Sequence, residues 1–93
     1  MSEIVRKRIV VSGRVQGVGF RYRASNAARH LDLTGWVRND YEGTVTMELQ
    51  GTEEQIYRII PMLEEASWIR IEDWKEKDIP VDPDERSFGI MGY

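Results

Sequence analysis

Between Lys7 and Leu31 the hydrophobic period of the chain changes once, and that change constrains how the chain can fold. From Lys7 to Arg14, Ile9, Val11 and Gly13 alternate with Arg8, Val10 and Ser12, the two-residue period of a strand. From Phe20 onward, Phe20, Ala24, Ala27, Ala28 and Leu31 recur at helical spacing, while Tyr22, Arg23, Ser25, Asn26 and Arg29 turn elsewhere. The join is Gly13 to Arg21, G-R-V-Q-G-V-G-F-R, which reads as a glycine-rich turn from strand into helix. Glycine has no Cβ, so backbone N–H groups there can approach a ligand closely, and the helix start adds unpaired N–H groups and a positive dipole end. Arg21, in the first helical turn, brings a permanently charged planar fork suited to phosphate oxygens.

The remaining segments complete an alternating order of elements. Leu33 to Asn39 and Thr44 to Gln50 are rich in β-branched and aromatic residues, and Asp40-Tyr41-Glu42-Gly43 between them reads as a hairpin turn. Thr52 followed by Gln55 forms a capping-box pattern for a second helix, with Ile56, Ile59, Ile60 and Leu63 as its buried stripe. Pro61 is expected to remove one hydrogen bond from that helix and to kink it. Ile69, Ile71 and Trp74 suggest a strand with a shift in facing near Asp73. Asp78 to Arg86 reads as a loop, and Ser87 to Met91 as a last strand. The order βαββαβ with an extra C-terminal strand predicts a ferredoxin-like α+β fold, two helices on one face of a mainly antiparallel sheet. In that arrangement the first and third strands are central neighbours, so the glycine turn can approach the hairpin that carries Asn39.

Ninety-three residues predict one domain, spanning 1–93. With no cysteine, disulfides, thiolate nucleophiles and Cys-based metal sites are excluded. The longest aliphatic run, Ile9-Val10-Val11, is too short for a membrane span or the apolar core of a secretory signal. A soluble, cytoplasmic monomer is expected. A net charge of −3 opposes nonspecific attraction to nucleic acid or an anionic membrane. Basic residues nevertheless concentrate in the first half, from Arg6 to Arg38, and most of them read as solvated surface.

The pair of segments G-R-V-Q-G-V-G-F-R and L-T-G-W-V-R-N, with Gly43 and the closing Phe88 and Ile90, resembles the acylphosphatase family over nearly the whole chain. The resemblance implies the same ferredoxin-like fold and hydrolysis of a carboxyl–phosphate mixed anhydride. It makes Arg21 the phosphate-binding catalytic arginine and Asn39 the residue that positions water. Gln16, Gly17, Val18, Gly19 and Phe20 become the phosphate cradle, acting through backbone N–H groups. It implies a small-molecule acyl phosphate as substrate, with no metal and no cofactor. The chemistry suits these residue types: a carboxylate leaves without protonation, so the phosphate must be held, its charge neutralised and a water aligned. An asparagine amide can orient that water but cannot act as a base at neutral pH.

Other readings stay open. A ferredoxin-like domain can bind RNA on aromatic strand residues, though this chain lacks the basic-glycine-aromatic strand motif. An anion-binding regulatory domain without turnover would keep the same cradle. A nucleotide P-loop would need lysine and Ser/Thr after the glycines. Arg14 is read as structural, Arg23, Arg38 and His30 as solvent-facing, and Asp82, Asp84 and Glu85 as a solvated acidic loop. Trp36, Trp68 and Trp74 are read as core. Asp32 stands where acylphosphatases commonly have glycine after the first helix, and left-handed geometry there carries a cost. Pro61 and Glu65-Ala66-Ser67-Trp68 also depart from the family's pattern, so the second helix is expected to end early or sit differently.

Overall fold

Arg6 and Lys7 are buried, and the first strand begins nearer the N-terminus than apolar alternation indicates, because Ile4, Val5 and Arg6 pair with Thr52, Gly51 and Gln50. The computed structural model describes residues 3–92, and β1 spans Ile4–Arg14. Arg6 is held on one face of the sheet by Glu48 at 2.9 Å and Glu85 at 2.7 Å. Lys7, on the other face, pairs with Asp78 at 2.6 Å and Glu53 at 3.3 Å. Charges can be buried when each has such partners. The Asp78 hydrogen bond, outweighing desolvation, holds the Lys7 ammonium well above the usual lysine range.

The other elements are α1 (Phe20–His30), β2 (Thr34–Asn39), β3 (Val45–Thr52), α2 (Glu53–Glu64), β4 (Arg70–Ile79) and β5 (Phe88–Met91). They form one five-stranded sheet in the order β4-β1-β3-β2-β5, antiparallel except for the β2–β5 pair. Two helices and this strand order give the ferredoxin-like α+β fold that the sequence predicts. Ile9 and Val11 of β1, Val37 of β2 and Val45, Met47 and Leu49 of β3 share a buried cluster with Phe20, Ala24, Ala28, Ile56, Ile59 and Leu63 of the helices. Alternate strand residues, Arg8, Trp36, Glu48 and Thr46 among them, face the side that the helices leave uncovered.

Several local expectations change. Gly13 stays in the sheet, as the Lys7–Arg14 alternation indicates, although it also opens the glycine-rich turn in the sequence, and it has φ 121°. It sits where Ser12 pairs with Asp73 but Gly13 with Ile71, leaving Glu72 as a bulge. A Cβ on Gly13 would lie 2.2 Å from the Arg70 carbonyl oxygen. The bulge also produces the facing shift expected near Asp73. Asp78 and Ile79, read as loop, extend β4 because they pair with Lys7 and Arg6.

The second helix runs through Pro61 to Glu64 rather than ending early, and its Thr52–Gln55 capping box is complete. Pro61 is exposed, on a side of α2 that owes nothing to the core. Asp32 has φ 60°. It follows α1 in a left-handed closing turn, in which Leu33 N–H donates to Ala28 C=O at 2.8 Å and Asp32 N–H to Arg29 C=O at 3.2 Å.

The tryptophans are not the core residues expected. Trp36 lies on the uncovered sheet face between the guanidiniums of Arg8 and Arg38, 5.9 and 5.1 Å from its ring centre. Trp68 is 54% exposed, and Trp74 packs only partly buried against the cluster. Glu85 is no free acid, since it pairs with Arg6. Arg23 donates to Met62 C=O at 3.2 Å, and Arg38 pairs with Asp40 at 3.0 Å, so neither simply faces solvent.

Candidate active site

Strand pairing brings the two segments of interest together. Val45, the first residue of β3, pairs with Val11 on one side and Asn39 on the other. The loop leaving β1 and the end of β2 therefore meet at the same end of the sheet. Gln16 closes the gap: its side-chain Nε2 donates to the carbonyls of Asp40 and Thr44, both at 2.8 Å. These carbonyls flank the hairpin turn, whose own bonds run from Asp40 N–H to Thr44 C=O at 2.9 Å and from Gly43 N–H to Asp40 C=O at 3.1 Å.

The loop is built for backbone exposure. Gly17 and Gly19 have φ of 73° and 78°, and a Cβ at either would meet nothing within 4 Å. Glycine supplies these left-handed conformations without steric cost. Gly19 also occupies the N-cap of α1, where no side chain accepts from the first-turn N–H groups. Those donors and the helix dipole point out of the helix end. Arg21, in the same turn, directs Nη1 at the Met91 carbonyl at 3.4 Å, bringing its guanidinium to the C-terminal edge of β5.

A cavity of about 250 Å³ lies between these parts. Gly17, Gly19, Phe20 and Arg21 line it together with Asn39, so residues from both sequence motifs share one concavity. Gln16 and Val18 do not line it. Gln16 turns its side chain to the hairpin, and Val18 packs its side chain against the core while its carbonyl accepts from the Trp68 indole at 3.1 Å. Val15, Tyr22 and Ile90 complete the lining and are additions to the residues singled out from sequence. Val15 carries no polar group, Tyr22 lies off the apolar helix stripe, and Ile90 enters only because β5 runs parallel beside β2. Only the last had a signal, in the closing F-x-I.

Asn39 has a distinctive environment. Its side-chain Oδ1 is buried and has no hydrogen-bond partner among the described residues. Such an acceptor is costly unless something supplies a proton to it. The next residue is its opposite. Burial raises the Asp40 carboxyl, but hydrogen bonds from Thr46 at 2.6 Å, Thr44 at 2.8 Å and Arg38 at 3.0 Å outweigh it and hold Asp40 below the usual carboxylate range. An ionised Asp40 thus anchors the hairpin beside Asn39. Among the described residues, no three His, Asp or Glu side chains gather where they could hold a metal ion.

The chain matches the protein family described as Acylphosphatase over residues 7–90. It is 40% identical to an acylphosphatase of Bifidobacterium longum over 91 residues, 96% of this chain and 94% of the relative. It is also 40% identical to one from Geobacillus thermodenitrificans over 87 residues, 92% of this chain and 93% of the relative. The crystal structure of acylphosphatase from Bacillus subtilis superposes with a TM-score of 0.85 at 28% identity, covering 97% of this chain and all of that one. The matched region takes in the whole cavity lining, from Val15 to Ile90, and the chain belongs to the acylphosphatase family.

Proposed function

We propose that the acylphosphatase activity of this chain, hydrolysis of an acyl phosphate to a carboxylate and inorganic phosphate, is carried out in this cavity by Arg21, Asn39 and the backbone of residues 16–20. The observation that carries the reading is that Asn39, whose side-chain Oδ1 is buried and has no partner among the described residues, lines the same cavity as Arg21 and the exposed glycine backbone. Loop N–H groups and the start of α1 bind the phosphoryl oxygens, and Arg21 neutralises their charge. The side-chain amide of Asn39 hydrogen-bonds a water and holds it in line behind phosphorus. The water oxygen–phosphorus bond forms as the bond from phosphorus to the carboxyl oxygen breaks. The departing carboxylate is a weak base and needs no acid, and the water proton passes to a phosphoryl oxygen of the substrate.

The apolar part of the lining, Val15, Phe20 and Ile90, offers the acyl group contact but no directed hydrogen bond. Discrimination between acyl groups is accordingly weak, less than about a hundredfold between acetyl and benzoyl phosphate. We propose further that the chain acts as one cytoplasmic monomeric unit, without nucleic acid. The single tryptophan on the uncovered sheet face is already stacked between two arginines, and the net charge is −3.

Hydrolysis of benzoyl phosphate in ¹⁸O-labelled water tests the direction of attack. Label in inorganic phosphate and none in benzoate is expected. Label in benzoate would mean attack at the carbonyl carbon and would remove the role given to Asn39.

A further inference from the structure

We infer that Trp68 is a positioning residue for the phosphate cradle, acting through the peptide that joins Val18 to Gly19. The inference rests on the reading of residues 16–20 as that cradle. Trp68 lies in the short connection between α2 and β4, and it is 54% exposed. An exposed tryptophan in a connection gains little from burial, yet this one reaches across the fold and donates its indole Nε1–H to the Val18 carbonyl at 3.1 Å.

The geometry of a peptide unit gives that bond its consequence. In a planar trans peptide the C=O of one residue and the N–H of the next point in opposite directions. Holding the Val18 carbonyl toward Trp68 therefore turns the Gly19 N–H away from Trp68. Gly19 lines the cavity, whereas Val18 does not. On its C-terminal side this peptide meets Gly19, at φ 78° and without a Cβ, which puts little steric restraint on its orientation. Among the described residues the N–H groups of Gly17, Val18 and Gly19 donate no hydrogen bond, so nothing else fixes this plane from the donor side. The Trp68 indole selects the orientation in which Gly19 N–H faces an incoming phosphoryl oxygen, and the cradle is formed before the anion arrives. Preorganisation of this kind lowers the cost of binding the anion.

Inorganic phosphate is the probe, with benzoyl phosphate kinetics beside it. Trp68→Phe keeps the ring and removes only the donor. Phosphate affinity is expected to fall about three- to tenfold, the range for one hydrogen bond. KM should rise by the same factor while kcat changes less than twofold, because the bond acts on phosphate binding in ground state and transition state alike. A merely structural tryptophan would shift the urea midpoint and leave phosphate affinity where it was, and that result would overturn the inference. Arg21→Ala separates the two levels of the reading. If that variant binds phosphate like the wild type, the cradle itself is misplaced and the inference falls with it. If Arg21→Ala loses phosphate while folded Trp68→Phe keeps wild-type affinity, only the role of Trp68 is refuted. Should Trp68→Phe fail to fold, the wild-type protein decides by NMR. The Gly19 amide and the Trp68 indole N–H should shift together, with one phosphate dissociation constant, and an indole signal that stays still would overturn the inference.

Discussion

The side-chain amide of Gln16 donates to the backbone carbonyl of Asp40 at 2.8 Å, tying the loop that follows β1 to the residue directly after Asn39. With the matching bond to Thr44, one side chain fixes the spacing between the proposed phosphate cradle and Asn39, the residue proposed to align water. The Gln16 side chain thus acts through the geometry of the two segments it joins, whatever its own backbone N–H contributes to the proposed cradle.

Replacing Gln16 by glutamate keeps its shape and removes both donated hydrogens, setting a carboxylate against two carbonyl oxygens. Stability should fall by about 2–3 kcal/mol at neutral pH. Urea denaturation would show it, and kcat/KM for benzoyl phosphate should drop by about tenfold in the variant that remains folded.

Glycines in the strands and in the loop should respond differently to alanine. At Gly35, with φ 136°, a Cβ would sit 1.8 Å from the Glu48 carbonyl oxygen, and at Gly19 it would meet nothing. Gly35→Ala should cost about 3–5 kcal/mol, since both backbone conformation and packing forbid the methyl group. Gly19→Ala should cost only about 1–2 kcal/mol of conformational strain, with thermal unfolding separating the two.

Asp32→Gly should stabilise the protein by about 0.5–1 kcal/mol in chemical denaturation. The left-handed turn at φ 60° penalises a residue with a Cβ, and an aspartate there faces the negative end of α1. The gain should come with unchanged turnover, because Asp32 lies away from the cavity lining.

Asp40 predicts a pH dependence. Its folded-state pKa is depressed, so its contribution is present above the unfolded value of about 3.9 and is lost as pH falls through the folded value. Asp40→Asn should therefore be less stable than wild type by about 1–2 kcal/mol at pH 7. The gap should narrow on acidification below about pH 4, as followed by denaturation at stepped pH.

The sequence makes the order of elements legible because each segment keeps one hydrophobic period, and because Thr52 and Gln55 cap α2 as their spacing indicates. Arg21 and Asn39 are legible as a pair from their motifs, and the pairing of β3 with both β1 and β2 brings them to one cavity. Long-range partnerships leave no such local trace. The burial of Arg6 depends on Glu48 and Glu85, far along the chain, so no window around Arg6 marks it as interior. The bulge at Glu72 likewise gives Gly13 its role in the sheet, although Gly13 reads locally as part of the glycine loop. Trp36 looks like core by residue type, yet register places it on the uncovered face between two arginines.

Turnover of benzoyl phosphate in the presence of EDTA, compared among wild type, Arg21→Ala and Asn39→Ala with inorganic phosphate binding measured on each, tests the assignment of the site most directly. The wild type should hydrolyse the substrate, and each variant should lose about a hundredfold or more in kcat/KM. Arg21→Ala should lose phosphate binding too, whereas Asn39→Ala should still bind phosphate. Turnover within about twofold of wild type in either folded variant would contradict the roles given to these residues. A wild type that binds phosphate without hydrolysing the substrate would contradict catalysis itself.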